Sequence, residues 1–132
     1  MYKLPSGPSA FFDIDDTLVI WSNPTGNEKL EELVTVVTRG LKQTFLINRF
    51  NLKYLRELAV RGHSIVLWSQ GGSDWCEAVA KALDIEDLVC ACLSKPMYYI
   101  DDIKDTSQFM GKYVFFDENG VRTGYVPKKE DK

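Results

Sequence analysis

The stretch FFDIDDTLVI, residues 11–20, places three acidic residues inside an otherwise apolar segment. Asp13, Asp15 and Asp16 lie within four positions, and the aromatic and aliphatic residues around them are typical of a buried strand. Crowded like charges repel one another, and burying an ionised carboxylate costs free energy unless a partner compensates the charge. We therefore expect a cation or a set of hydrogen-bond donors near the end of this strand.

The composition predicts one globular domain that spans residues 1–132. The chain has a mass of 15.1 kDa, and 45% of its residues are hydrophobic while 27% are charged. These fractions are ordinary for a globular protein, and no apolar run approaches the roughly 20 residues that a membrane-spanning helix needs. The first residues, MYKLPSGPSA, do not resemble a secretory signal. We therefore expect a cytoplasmic protein that does not enter a membrane.

The cysteines and the net charge exclude further function classes. Three cysteines, Cys76, Cys90 and Cys92, are an odd number and a poor basis for a disulfide framework, so we expect free thiols in the core. The net charge of −3 gives no general attraction to nucleic acid. Between Arg39 and Arg61, however, six basic residues stand against one acidic residue, which predicts a local basic face.

Short apolar runs alternate with amphipathic segments, a pattern that is typical of β-α-β proteins. The pattern predicts one helix from about residue 49 to Gly62 and a second from about Asp74 to Leu83, with Asp74 and Glu77 as a capping box. The runs between them are nearly continuous in apolar residues, as strands of a helix-covered parallel sheet are. The predicted strands are residues 10–14, 64–68, 88–92, 97–100 and 112–116.

Residues 18–48 are predicted to form a small flap rather than a domain. Two β-prone runs surround Arg39-Gly40, a pair of residues that suits the turn of a hairpin. The segment EKLEEL, residues 28–33, favours a helix. The polar tail, about residues 127–132, is expected to be loose.

The carboxylates Asp13 and Asp15 are predicted to converge at the carboxyl end of the first strand. Side chains two positions apart on a strand share a face, and this end of a parallel sheet is where ligands bind. One or two carboxylates with water and phosphate oxygens are what Mg²⁺ prefers. A calcium-binding EF-hand loop is excluded because Leu18 and Pro24 stand where that loop needs glycine and an acid. A polar turn whose Asp side chains accept backbone N–H bonds remains the alternative.

Four segments resemble, in order, the motifs of the haloacid dehalogenase superfamily. FFDIDDTL is similar to that family's first motif, an apolar strand that leads into D-x-D-x-T. IVLWS ends in Ser69 as the second motif does, SKP supplies the lysine of the third, and YYIDDIKD resembles the acidic fourth. The resemblance covers about residues 10–105. It implies an α/β fold with a Rossmann-like open parallel sheet, helices on both faces and a small flap or hairpin instead of a cap domain.

The same resemblance implies roles for individual residues. Asp13 would attack phosphorus to form an aspartyl-phosphate, and Asp15 would protonate the leaving oxygen and then activate water. Lys95 would neutralise Asp13 and the phosphoryl oxygens, while Ser69 and Gln70 would bind the substrate phosphate.

A Mg²⁺ ion would be held by Asp13 and Asp15 together with acids from the fourth motif. Asp102 is the better direct or water-bridged ligand and Asp101 the supporting acid, although the two can exchange roles. Asp16 is expected to be structural or to support the residues that bind the metal and substrate, rather than to be catalytic, and Thr17 is expected to order the loop.

Together these expectations predict a Mg²⁺-dependent phosphomonoester hydrolase that acts through an aspartyl-phosphate on Asp13. Because the chain has no room for a cap domain, we expect an accessible site and a phosphorylated substrate that can be bulky. A narrower alternative is a phosphatase for nucleotides or polynucleotide ends, since Trp21 and Trp68 could stack on a base. Arg49, Lys53 and Arg56 could follow a phosphate backbone, or simply form the solvated face of a helix. A non-enzymatic module that binds metal, phosphate or a protein partner is the second class.

Overall fold

The computed structural model describes residues 7–21, 32–111, 113–116 and 122–125. The chain divides into two compact units, Met1–Lys95 and Pro96–Lys132. The predicted loose tail and most of the segment EKLEEL lie outside the described residues. The prediction of one domain over residues 1–132 stays a prediction.

A three-stranded parallel sheet forms the centre of the first unit. Its strands are β1 (Ser9–Asp13), β5 (Ser64–Ser69) and β6 (Val89–Ser94), and β5 lies between the other two. Ser9 pairs with Ser64 and Ser69 pairs with Ser94, so the three strands end at one edge of the sheet. The predicted strands 10–14, 64–68 and 88–92 are confirmed to within two residues at each end.

Two helices connect these strands, α1 (Arg49–Val60) and α2 (Ser73–Ala82). Asn48 caps α1 because its side chain accepts a hydrogen bond from the amide of Asn51. The predicted capping box of Asp74 and Glu77 is wrong. The N-cap of α2 is Gly72, which has no side chain to cap with and whose φ of 99° suits glycine.

Both helices pack on one face of the parallel sheet. The two connections run in the same direction across the sheet, and right-handed crossovers then place both helices on the same side. The core accordingly joins Leu55 of α1 and Val79 of α2 to Phe12 and Leu67 of the strands. On the opposite face, Phe11 is 47% exposed. Helices on both faces are therefore not seen in the described part of this unit, and the observed class is a small α/β fold.

The predicted flap is an antiparallel sheet of three strands. It contains β2 (Val19–Ile20), β3 (Leu33–Thr38) and β4 (Leu41–Ile47), with β4 in the centre. The predicted turn at Arg39-Gly40 is confirmed, and both residues have positive φ. Val36 of β3 and Phe45 of β4 are buried in the same core as α2. The flap is thus packed against the parallel-sheet layer, and it holds the residues that follow β1 in place.

The second unit differs from the sequence prediction. Residues 97–100, predicted as a strand, form no strand, and their side chains are between 63% and 95% exposed. The predicted strand 112–116 exists as β7 (Tyr113–Phe116), but it pairs antiparallel with β8 (Arg122–Tyr125) in a separate two-stranded sheet. A short 3-10 helix, Thr106–Gln108, precedes β7.

Candidate active site

Three of the predicted site residues meet at the carboxyl edge of the parallel sheet. Asp13 is the last residue of β1, Ser69 is the last residue of β5, and Lys95 directly follows β6. The backbone amide of Lys95 donates to the carbonyl of Ser69 at 2.9 Å, which fixes the start of the loop after β6. Parallel pairing therefore gathers residues that lie up to 82 positions apart in the chain (Asp13 to Lys95).

Asp13 is held by one cation and one hydroxyl. Its Oδ1 lies 3.0 Å from Nζ of Lys95, and its Oδ2 accepts a hydrogen bond from Thr17 Oγ1 at 2.9 Å. About one third of each side chain in the ion pair is exposed, so the carboxylate can be reached from solvent. The lysine compensates the charge that the sequence places at the end of this strand. The two contacts also fix the direction of both carboxylate oxygens.

A tight turn carries the chain from Asp13 to β2. The carbonyl of Ile14 accepts from the amides of Thr17, Leu18 and Val19, and Asp16 has a φ of 62° with its own amide bonded to Val19. The Asp16 side chain accepts from the amide of Trp21 at 3.1 Å. Asp16 therefore has the structural role that was expected, because aspartate tolerates this left-handed conformation better than most residues.

Helix α1 anchors this turn from the side of the core. Asn51 is 7% exposed, and its Nδ2 donates to the carbonyl of Thr17 at 2.8 Å. The amide of Asn48 donates to the carbonyl of Leu18 at 2.9 Å. These bonds connect the start of α1 to the loop that carries Thr17, so the position of Thr17 against Asp13 depends on α1.

Asp15 accepts three side-chain hydrogen bonds. Oδ2 accepts from Ser69 Oγ at 3.2 Å, and Oδ1 accepts from Trp21 Nε1 at 2.7 Å and from Trp75 Nε1 at 2.9 Å. Ser69 thus binds the second carboxylate directly, which the sequence did not predict. Three hydrogen-bond donors therefore compensate the charge of the Asp15 carboxylate, whereas one cation, Lys95, compensates the charge of Asp13.

The loop after β5 is shaped by Ser69 and two glycines. The Ser69 hydroxyl, which is fully buried, accepts from the amide of Gly71 at 2.9 Å while it donates to Asp15. A Cβ at Gly71 would lie 3.2 Å from the Trp75 ring and 3.3 Å from Ser69 Oγ, so any larger residue would crowd the Trp75 ring by a few tenths of an ångström. Gln70, the other predicted phosphate-binding residue, is exposed in the same turn.

The side chain of Trp21, which donates a hydrogen bond to Asp15, packs with two other aromatic rings. We call these three residues, Trp21, Phe45 and Trp75, the aromatic cluster. The ring centroids of Trp21 and Phe45 are 4.9 Å apart, those of Phe45 and Trp75 are 5.7 Å apart, and those of the two indoles are 6.0 Å apart. Trp21 is 49% exposed, whereas Phe45 is 2% exposed. The free ring surface beside Asp15 therefore belongs mainly to Trp21.

The second tryptophan that was expected to stack on a base does not reach this place. Trp68 precedes Ser69 on β5, so its side chain points to the face of the sheet opposite Ser69, and its register partner on β1 is Asp13. It packs against Phe11 at a centroid distance of 4.8 Å. Trp75 occupies the site instead, although its helical spacing with Val79 and Ala82 is typical of a core position and does not indicate a contact with Asp15. Its place in the first turn after Ser69-Gly71 was the available signal.

The buried thiol of Cys76 lies close enough to Asp13 and Asp15 to interact with them electrostatically. Burial raises the pKa of Cys76 to about 12, and Cys92, Asp15 and Asp13 add to the increase by electrostatic repulsion. Burial likewise raises the pKa of Cys92 to about 11. The three cysteines are free, as predicted, and the raised pKa values keep Cys76 and Cys92 as neutral thiols at neutral pH.

The predicted metal-binding acids of the fourth motif belong to the second unit. Asp101 and Asp102 are both exposed, and Asp101 Oδ1 accepts from the amide of Ile103 at 2.8 Å in a local turn. Within residues 7–21, 32–111, 113–116 and 122–125, no three His, Cys, Asp or Glu side chains are grouped in a way that could hold a metal ion. Asp13 and Asp15 remain as the carboxylates at the edge of the parallel sheet.

A second polar feature lies on α1. A shallow groove of about 310 Å³ is lined by three basic residues, one acidic residue and one valine: Lys53, Arg56, Arg61, Glu57 and Val60. Arg49, Lys53 and Arg56 are all exposed, which is what both interpretations of the basic stripe require.

Comparisons with family models, with curated proteins and with solved structures find no match to this chain. Neither helix in the described ranges has the length and apolar content that a membrane span requires.

Proposed function

We propose that this protein is a phosphomonoester hydrolase of the haloacid dehalogenase type that forms an aspartyl-phosphate on Asp13. The observation that carries the proposal is the ion pair of 3.0 Å between Asp13 and Lys95, residues from the first and third of the resembling motifs. Ser69, from the second motif, meets Asp15 at the same edge. A polar turn alone would not require residues from three separate strand ends to converge.

In the proposed reaction, Asp13 is the nucleophile and Asp15 is the general acid and then the general base. An oxygen of Asp13 attacks phosphorus, the new O–P bond forms, and the bond from phosphorus to the ester oxygen breaks. Asp15 gives a proton to that oxygen as it leaves. Asp15 then takes a proton from water, which attacks phosphorus and releases phosphate from Asp13. Lys95 would stabilise the negative charge on Asp13 and on the phosphoryl oxygens in both steps.

A Mg²⁺ ion fits the donor set in chemical type. Mg²⁺ is bound through one or two carboxylates, with water and phosphate oxygens as its remaining ligands. Asp13 and Asp15 would supply the carboxylates, and water and phosphate oxygens would complete the coordination. When bound, the ion would neutralise charge on the carboxylates and the transferring phosphoryl group.

The experiment that tests the proposal is substitution of Asp13. Asp13→Asn keeps the shape of the side chain and removes the nucleophile, so we expect release of phosphate from p-nitrophenyl phosphate with Mg²⁺ to fall by at least about 10³-fold. Asp87→Asn, at an exposed position in the α2–β6 loop, is the matched control and should keep wild-type turnover. Circular dichroism and urea unfolding check that both variants are folded.

Each outcome separates the enzyme from the binding module. Unchanged turnover in Asp13→Asn would refute catalysis through this residue. No turnover by the wild-type protein, across phosphorylated sugars, nucleotides and peptides with Mg²⁺, would favour a non-enzymatic module.

The narrower substrate class, a nucleotide or polynucleotide end, is favoured by the basic groove on α1. If a strand of nucleic acid follows Lys53 and Arg56, its affinity should decrease steeply with salt, and Lys53→Ala should reduce the slope of log K against log salt by about one. Turnover of a small phosphate ester should be unaffected by the same substitution. A flat salt dependence would exclude this class.

A further inference from the structure

The aromatic cluster offers a surface that the proposed chemistry leaves unused. Trp21 is half exposed although its indole N–H is bonded to Asp15 at 2.7 Å. Phe45 contacts it edge-on, with an angle of 69° between the rings, and Trp75 lies 6.0 Å away. The indole is therefore held on its N–H edge and against its aromatic neighbours, and part of the ring stays open to solvent.

The proposed role of Asp15 as the acid brings the leaving group of the substrate close to Trp21. If Asp15 protonates the leaving oxygen, that oxygen comes within roughly 2.6–3.2 Å of the carboxyl group. Because Trp21 Nε1 is 2.7 Å from the same carboxyl group, the leaving oxygen then lies at most about 6 Å from the indole nitrogen when it meets Oδ1. The first atoms beyond the ester oxygen can then reach the indole ring.

We propose that Trp21 is the leaving-group subsite and that it accepts a planar aromatic ring attached to the ester oxygen directly or through one carbon. This inference rests on the proposed function, because it uses Asp15 as the acid. Two features favour an aromatic ring. The half-exposed residue beside Asp15 is an indole, and aromatic stacking needs no precise hydrogen-bond partner.

Trp75 and Phe45 make the subsite rigid. Trp75 gives Asp15 Oδ1 a second N–H donor at 2.9 Å, so this oxygen is still held when the Trp21 bond is broken. Phe45 is 2% exposed and comes from the central strand of the flap. The flap thereby fixes where the ring of Trp21 stands, and this gives the flap a role in selecting the substrate.

The test compares two esters with closely similar leaving groups, benzyl phosphate and cyclohexylmethyl phosphate. Both release an alcohol in which one CH₂ links the oxygen to a six-membered ring, and only the benzyl ring is flat. We expect wild-type kcat/KM to favour benzyl phosphate by roughly tenfold, which corresponds to a stacking contribution within the usual range. Trp21→Leu should reduce this preference to about twofold or less, whereas Trp21→Phe should keep most of it.

Trp68→Leu is the matched control, because the Trp68 ring packs against Phe11 at a centroid distance of 4.8 Å and not in the aromatic cluster. This variant should keep the wild-type preference for benzyl phosphate. Loss of the Trp21 N–H bond to Asp15 affects both esters, so the ratio of the two kcat/KM values isolates stacking from the positioning of Asp15. A folded Trp21→Leu variant is required, and near-ultraviolet circular dichroism verifies it.

Each result has a clear meaning. A preference that disappears in Trp21→Leu but not in Trp68→Leu supports the subsite. A wild-type preference that persists in Trp21→Leu, or no wild-type preference at all, overturns the subsite while the proposed hydrolase stands. No turnover of either ester by a wild-type protein that hydrolyses p-nitrophenyl phosphate also overturns the subsite alone, whereas no turnover of any phosphate ester overturns the proposed function and the subsite with it.

Discussion

Replacing Lys95 with methionine should separate the catalytic contribution of the Asp13–Lys95 pair from its contribution to stability. Methionine has nearly the same length as lysine but no charge. The two charged atoms lie 3.0 Å apart, which gives a gross Coulomb attraction of about 5.5 kcal/mol at an effective dielectric constant of 20 and about 1.4 kcal/mol at 80. Because about one third of each side chain is exposed, the lower end of that range applies.

The expected loss of stability is therefore small. The cost of desolvating and ordering the pair offsets much of the attraction, so the free energy of unfolding should decrease by only about 1 kcal/mol. The loss of catalysis should be larger. A cation that faces the charge developing on a transferring phosphoryl group should contribute about as much as an oxyanion-hole donor, which is about 10²–10³-fold in kcat.

The assay measures both quantities on the same variant. Steady-state kinetics with an aryl phosphate and Mg²⁺ give kcat and KM, and urea unfolding gives the free energy of unfolding. Lys81→Met, at an exposed position of α2, is the control for loss of one surface charge and should change neither quantity appreciably. A kcat within about threefold of wild type in folded Lys95→Met would refute the role given to Lys95. A loss of more than about 3 kcal/mol in stability would instead show that the pair is mainly structural.

Two further predictions concern Asn51 and Cys76, which lie close to the candidate site. Asn51→Ala should lower the free energy of unfolding by about 1–3 kcal/mol in urea unfolding, because the carbonyl of Thr17 loses the donor that the buried Asn51 supplies at 2.8 Å. Asn51→Ala should also lower kcat, because Thr17 is then less well fixed against Asp13. Asn48→Ala removes only a helix cap, so it should lower the free energy of unfolding by about 1 kcal/mol and leave kcat nearly unchanged. Equal effects of the two substitutions on kcat would contradict the specific role of Asn51. Burial raises the pKa of Cys76 from 9.0 to about 12, so its stabilising contribution is complete below about pH 9 and is lost as the pH rises towards 12. Between pH 9 and 11, stability should fall less steeply in Cys76→Ala than in wild type, by up to about 1.4 kcal/mol per pH unit; parallel curves would contradict this.

The parallel sheet was predictable from its apolar runs, because nearly continuous apolar residues indicate buried strands and parallel strands bring their carboxyl ends to one edge. That Asp13 and Ser69 lie at this edge could be expected from the positions of the runs alone. The ion pair between Lys95 and Asp13 was expected only from the resemblance to the haloacid dehalogenase motifs. The hairpin at Arg39-Gly40 was predictable because two β-prone runs flank a pair that ends in glycine, a residue that adopts positive φ without strain.

The remaining features depend on partners that the local sequence does not specify. Residues 97–100 have strong β propensity, but a strand needs a neighbour to pair with, and propensity alone cannot supply one. Trp75 looked like a core residue of an amphipathic helix, and its indole N–H in fact reaches Asp15 because Gly71 leaves room for the ring. The contact of Asn51 with Thr17 spans 34 positions and has no local signature.

The most direct test of the central claim is chemical trapping of the proposed intermediate on Asp13. The wild-type protein is mixed with an aryl phosphate and Mg²⁺, quenched, and treated with borohydride, which reduces an acyl phosphate to the corresponding alcohol. Peptide mass spectrometry then locates the reduced residue. Our account predicts conversion of Asp13 to homoserine in the presence of substrate, with no conversion in Asp13→Asn or without substrate. Turnover with Asp13 unmodified and another residue reduced, or with no residue reduced at all under conditions that accumulate the enzyme-bound state, would contradict it.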